Sequence, residues 1–444
     1  MRRRSLPAAG AGVLLSLTGC APGGFNAERS RPTTGPVSKN LGNDRITLHV
    51  WDQNTDEGPD QAQRALNRAF EKRHPHIRIE RVARAFGDLK MTLRLALSGE
   101  HPPDVVQANQ SYPDMGAFVK AGLLRPLNDY ARLYGWDTYY PSSLLKLNSF
   151  SPDGRTWQGR DLYGISQTGE LVGLYFHPGV LREAGVQEPP RTVADLTDAL
   201  HKVKATGTLP LAFGNVEAFP GIHLYGFVHS ALAGRQKAND LVTASGGAWT
   251  DPEPVEAAQV IHDWSARGYV TSGANGISTD DALADFRRGR AAFHISGTWQ
   301  EAPLTGAGIG FTVLTPPGSP TPVTMGGEGL PFAITARSKH PDAAAAYIDF
   351  VSGATAAPVL AKSGNLPVVE PRSRTRSRLA TDITRAYQRI SKANAVTPYL
   401  DYTTPTFYDT LTAGMQDLLA GEKSPREFTR ALQTDHADFR ESNR

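Results

Sequence analysis

The strongest constraint on this chain is a switch in hydrophobic period, repeated between residues 46 and 107. Ile46-Thr47-Leu48-His49-Val50 alternates apolar and polar side chains, the period of a strand. Ala62, Ala65, Leu66, Ala69 and Phe70 then recur at helical spacing until Pro75. Ile77–Val82 alternates again, Phe86, Leu89, Leu93 and Leu97 mark a second helix, and Asp104-Val105-Val106-Gln107 reads as a third strand. A βαβαβ order implies a doubly wound α/β lobe, which binds ligands at the loops following its strands. Those loops are Trp51-Asp52-Gln53-Asn54 and Asn109-Gln110-Ser111-Tyr112.

The same style returns later. Helices are expected at Arg191–Ala205, Pro254–Arg267 and Pro341–Val351, and strands at Leu209–Phe213 and Ala291–Ile295. Thr279 is the expected N-cap of a further helix that runs to Gly289. With 444 residues the chain exceeds one ordinary core and suits two lobes.

The first 44 residues read differently. Arg2–Arg4 precede a short apolar run, Ala8–Leu17, too short for a permanent membrane helix. Leu17-Thr18-Gly19-Cys20 follows and resembles a bacterial lipobox, so residues 1–20 are expected to be a lipoprotein signal peptide with Cys20 acylated. Export by the general or the twin-arginine route is open. Residues 21–44, rich in Gly, Pro, Ser and Thr, are expected to form a flexible tether.

Several chemistries find no support. Cys20 is the only cysteine, which removes disulfide scaffolds and cysteine-based metal sites. Outside Arg2–Arg4 the chain holds 44 basic and 44 acidic side chains, so no basic excess points to nucleic acid. No Gly-x-Ser-x-Gly elbow, P-loop or His-Glu-x-x-His pattern occurs, and no cofactor or metal is expected.

Five segments carry a family likeness. They are Trp51-Asp52-Gln53; Ser98–Val106; Asp161–Ile165 with Leu174–His177; Phe286–Phe293 with Gly297-Thr298-Trp299; and Gly326–Gly329 with Ser338–Ala344. In order and spacing they resemble the extracellular solute-binding proteins of ABC importers, the maltose-binding-protein-like group. His177 departs from that pattern, which usually has Asn, and this bears on hinge-strand packing.

The resemblance implies a two-lobed, periplasmic-binding-protein-like clamp, each lobe a doubly wound sheet flanked by helices. Lobe 1 would take 45–168 and 325–365, and lobe 2 would take 169–324 and 366–444. Crossovers would lie near Gly169-Glu170, Pro322–Gly326 and Pro367. It also places Trp299 on the family's stacking tryptophan, Glu170 on the cleft carboxylate beside the hinge, and Glu217 and Phe219 on the lobe-2 acid and aromatic.

Sugars present apolar C–H faces and rings of hydroxyls, so a binder needs flat rings and groups that accept or donate. Trp51, Tyr112, Phe219 and Trp299 are the candidate platforms, with core packing the competing role for Trp51. Asp52, Gln53, Asn109, Gln110, Glu170, Glu217 and Glu328 are the candidate polar partners. Trp249, after Gly246-Gly247-Ala248, reads as structural. The expected protein is a monomeric, lipid-anchored receptor on the extracytoplasmic face, passing a carbohydrate to ABC permease subunits. A secreted carbohydrate-active enzyme, a surface adhesion module, and a receptor for another solute such as a polyamine or peptide are the alternatives.

Overall fold

Leu48 and Val50 are fully buried while His49 between them is exposed, so the alternation read in the sequence does set the inner face of the first strand. The computed structural model describes residues 36–369 and 377–442. Strand β1 (Ile46–Asp52) is followed by helix α1 (Glu57–Arg73), β2 (Ile77–Ala83), α2 (Phe86–Ser98) and β3 (Val105–Gln107). Both β2 and β3 pair in parallel with β1. Helix α1 buries Ala62, Leu66 and Phe70 and carries Glu57 and Asp60 in its first turn, Lys72 and Arg73 in its last. That distribution opposes the helix dipole at both ends.

The second sheet begins with β4 (Gly169–Phe176). It gathers β5 (Leu209–Ala212), helices α3 (Phe219–Val242) and α4 (Thr279–Arg287), then β6 (Ala291–Gly297), β7 (Gly310–Thr312) and β8 (Thr324–Glu328). Strand β9 (Phe332–Ile334) returns to the first sheet, antiparallel to β3, before helix α5 (Pro341–Ser352). Strand β10 (Val396–Thr397) closes the second sheet beside β8, and helix α6 (Phe407–Ala420) follows. The sheet orders are β9-β3-β1-β2 and β10-β8-β4-β6-β5, with β7 also on β4. Every residue of β6 is buried, as an interior strand requires. The first core joins Leu48, Val50, Leu66 and Phe70 to Ile334, Tyr347 and Ile348. Another, around Leu174, Phe227, Trp249, Trp264 and Phe293, underlies the second sheet. No helix among the described residues is long and apolar enough to cross a membrane.

Three details depart from expectation. Ser278, not Thr279, caps α4: its hydroxyl accepts from the Asp281 amide at 3.1 Å, while the Thr279 hydroxyl donates to Glu217 Oε2 at 2.8 Å. The end of the tether is packed: Val37 and Leu41 lie against the first core, and the Ser38 amide donates to Asp342 Oδ1. Residues 1–35, with Cys20, lie outside the described residues. Finally, His177 follows the end of β4 far from the crossovers, and the backbone bond it makes, to the Ala292 carbonyl, is to the neighbouring strand β6 and not to the passages between the lobes.

Candidate ligand-binding cleft

The two sheets are joined by three strands of chain lying side by side. The Gly329 amide donates to the Thr168 carbonyl at 2.9 Å, Gly169 to Leu366 at 2.7 Å and Val368 to Gln167 at 3.1 Å. Residues 326–328 pair with β4 of the second sheet, and the chain joins the first sheet only at Phe332. The second passage therefore falls at 329–331, a few residues later than the pattern at Pro322–Gly326 suggested. Extended hydrogen-bonded strands can bend together where a globular contact could not.

Above these passages lies a cavity of about 300 Å³ between the lobes. Gln53, Asn54, Asp56, Phe86 and Asn109 face it from the first lobe; Glu217, Phe219, His223, Asp280, Trp299 and Tyr408 from the second. Glu170 and Tyr399 stand at the base. Phe86 reaches across, its ring 5.9 Å from Phe219 and 6.2 Å from Tyr408.

Local backbone explains the placement of the key groups. After β6 the chain makes a short 3-10 turn, Thr298–Gln300, which turns Trp299 out of the sheet. Its indole lies directly over Gly297, where any Cβ would collide with the six-membered ring. His223 lies beside the indole, the ring centroids 5.2 Å apart and the planes tilted by 55°. Ala218, with φ 62°, forms the sharp corner that sends Glu217 and Phe219 to the same wall. A non-glycine residue there stores strain of the kind that collects at binding sites.

The electrostatics are unusual for a surface cleft. Burial pushes the Glu170 carboxyl up to about 7, against the opposing hydrogen bond from the Tyr399 hydroxyl at 3.2 Å. Burial raises Asp401 to about 6, partly offset by Lys90 and by the Asn109 amide, which donates to its Oδ2 at 3.2 Å. His223 is pushed down to about 3 by burial and stays neutral. At neutral pH these groups can therefore hydrogen-bond as acids, carboxylates and a neutral imidazole within one cavity.

A family model described as bacterial extracellular solute-binding protein matches residues 54–358, well over half of the sequence. The chain belongs to that family. A multiple sugar-binding protein of Streptococcus mutans is 22% identical over 327 residues, 70% of this chain and 72% of that protein. An uncharacterized ABC transporter extracellular-binding protein of Pyrococcus horikoshii is 22% identical over 334 residues, 72% and 70% of the two chains. Among solved structures, a chitin oligosaccharide binding protein superposes with a TM-score of 0.77 at 19% identity, covering 90% of this chain and all of that one. A bacterial receptor described as preferring β-D-galactopyranose gives 0.77 at 17% identity, covering 89% and 99%. These structures share the two-lobed fold, and the family's extracellular location applies to this solute-binding protein.

Of the residues expected to bind ligand, Gln53, Asn109, Glu170, Glu217, Phe219 and Trp299 line the cavity of this solute-binding protein. Five do not. Asp52 is fully buried under β1, gripped by Arg81 at 2.6 and 2.7 Å, because its side chain follows Leu48 and Val50 inward. Trp51 points the other way, packed on the core beneath the Arg84 guanidinium 4.7 Å above its ring. Gln110 is consumed in holding the lobes together, donating to the Gly329 carbonyl and accepting from the Tyr402 hydroxyl. Tyr112 packs against Phe150 and Phe439, its hydroxyl accepting from the Trp157 amide. Glu328 is buried behind the base, and burial raises its carboxyl well above the usual range. Trp249 is buried against Phe407. Sequence reading missed Asp56, Phe86, His223, Tyr399, Asp401 and Tyr408. Only the run Pro398-Tyr399-Leu400-Asp401-Tyr402, aromatic and acidic after a proline, carried a usable signal.

Proposed function

We propose that this protein captures a carbohydrate between its lobes and delivers it, unaltered, to the permease of an ABC importer. The half-buried indole of Trp299 carries the reading: it is a flat ring at a cavity that also holds amides, carboxylates and further aromatic rings. Such a ring matches the C–H face of a pyranose, and the polar groups match its hydroxyls. The Streptococcus mutans relative and the structural neighbours named for chitin oligosaccharide and β-D-galactopyranose support a sugar as the solute. In this reading the ligand bridges both walls and selects the closed state, while the protein works as a monomer, without nucleic acid. Acylated Cys20 would hold it on the extracytoplasmic face.

The test is calorimetry and thermal shift against mono- to tetrasaccharides, with chromatography of the recovered sugar. Binding with the sugar returned intact is the expected result. Reducing ends released by pure protein, and lost in Glu170→Gln, would replace the receptor by an enzyme.

A further inference from the structure

The cavity's charge is one-sided. Asp56, Glu170, Glu217, Asp280 and Asp401 line it, and no lysine or arginine does among the described residues. The cations nearby are already engaged. Lys90 Nζ lies 3.1 Å from Asp114 Oδ2 and 4.7 Å above the Tyr408 ring. Arg84 sits on Trp51, and Arg81 is shared between Asp52 and Asp60.

The acids also come from both lobes. Asp56 stands at the N-cap of α1 without a side-chain capping bond, and Asp280 lies in the first turn of α4. The Asp56 carboxyl is raised first by desolvation and then by repulsion from Asp280. Asp56 in turn repels Glu170. The helix dipoles offset part of the charge on Asp56 and Asp280. They do nothing for Glu170 on β4 or for Asp401 in its short turn. Neutral hydroxyls can hydrogen-bond to carboxylates, but they leave like charges facing each other as the lobes approach. A cation between the walls would turn that repulsion into attraction.

The rings mark the ligand position independently of the acids. Phe86, Phe219, Trp299 and Tyr408 surround the same space, and aromatic faces attract a positive nitrogen. His223 is neutral there and adds no opposing charge.

We propose that the solute is a cationic sugar, an amino sugar or amine-bearing oligosaccharide, whose ammonium lies among the carboxylates of both walls. This rests on the carbohydrate reading above and narrows it.

Calorimetry with matched pairs tests it: glucosamine, galactosamine and β-1,4-glucosamine di- and trisaccharides against their N-acetylated and hydroxyl counterparts, with spermidine as a further probe. The free-amine member of at least one pair should bind about tenfold or more tighter, as expected for one desolvated charge pair. Salt should narrow the gap, because part of it is Coulombic, when NaCl rises from about 0.05 to 0.5 M. Asp56→Asn/Asp280→Asn alters two side chains that face the cavity and not the core, and should abolish most of the amine preference while leaving the melting temperature near that of the parent. Neutral sugars binding as tightly as their amine partners in every pair, or no amine-bearing sugar binding, would overturn the inference; in the first case the carbohydrate reading survives. Spermidine bound with no sugar bound overturns both.

Discussion

Gly297→Ala should damage binding more than it damages the fold. Gly297 has φ −83° and ψ 167°, a conformation open to alanine, so the backbone itself is not strained by the change. The new methyl would fall inside the space of the Trp299 ring, however, and one of the two must move. Gly297 is buried in β6 opposite Val172 and its carbonyl accepts from the Tyr175 hydroxyl, whereas the indole is only half-buried. The ring should therefore yield first. Overpacking of this kind costs about 1–3 kcal/mol of stability. Loss of an aromatic anchor from a binding centre costs about 2 kcal/mol or more of affinity, or about thirtyfold at 1.4 kcal/mol per decade. Trp299→Ala should lose a similar amount. The double mutant decides the matter: once the ring is gone, the methyl has nothing to displace, so Gly297→Ala should cost little further affinity. Calorimetry on the two singles, the double and the parent closes the cycle. Additive losses, or parental affinity in Gly297→Ala, would refute the account of Trp299 as a platform held by Gly297.

Ligand should close the lobes about the three passages at 167–169, 329–331 and 366–368. Small-angle scattering should then give a smaller radius of gyration with saturating sugar, and an unchanged radius would count against closure. Phe86→Ala removes the ring that meets Phe219 and Tyr408 across the cleft, and should weaken sugar binding about tenfold; unaltered affinity would mean that contact is incidental. Cys20→Ser should move the protein from the membrane to the soluble fraction, since one acyl chain holds only marginally and the diacyl anchor is lost; membrane retention would exclude the lipobox. His229 is buried between Tyr225 and Trp249 and pushed down to about 4 from 6.5, so its contribution to stability is present above pH 6.5 and is lost as pH falls towards 4. At about 1.4 kcal/mol per pH unit that is on the order of 3 kcal/mol. Denaturant melts of His229→Leu across this range should show that much less acid loss than the parent, and parallel curves would mean His229 is not titrating there.

The opening βαβα of the first sheet was legible because each of those elements carries its own period, whereas β9, three buried residues that return from far along the chain, was not read. Leu48 and Val50 face in, Ala62, Leu66 and Phe70 share one helix face, and neither pattern needs knowledge of a distant partner. The passages between lobes were harder. Residues 324–328 are buried at every position, so no alternation marks which sheet they join, and their partner, β4, lies about 150 residues away. Cap position was missed at Thr279 for a similar reason: whether that hydroxyl caps α4 or donates to Glu217 depends on a loop 62 residues earlier.

At the cleft, the sequence told which residue types gather but not which way they point. Trp51 and Asp52 show the difficulty, since adjacent strand residues face opposite sides and neither side of β1 at this end is the cavity. A strand end is a good marker for a site only if the loop beyond it is counted, and here the cavity begins at Gln53. Trp299 escapes the ambiguity because Gly297 and the short turn after it release the ring from the alternation of β6. Tyr399 and Asp401 show the opposite difficulty: the aromatic and acidic run that holds them is visible, but its place in the molecule is not. Their role arises from the third passage, which returns the chain to the second lobe and sets them beside Glu170 and Asn109, a meeting made by topology that local sequence does not record. A clamp built on three passages therefore writes its outer walls into local sequence and its base into long-range pairing.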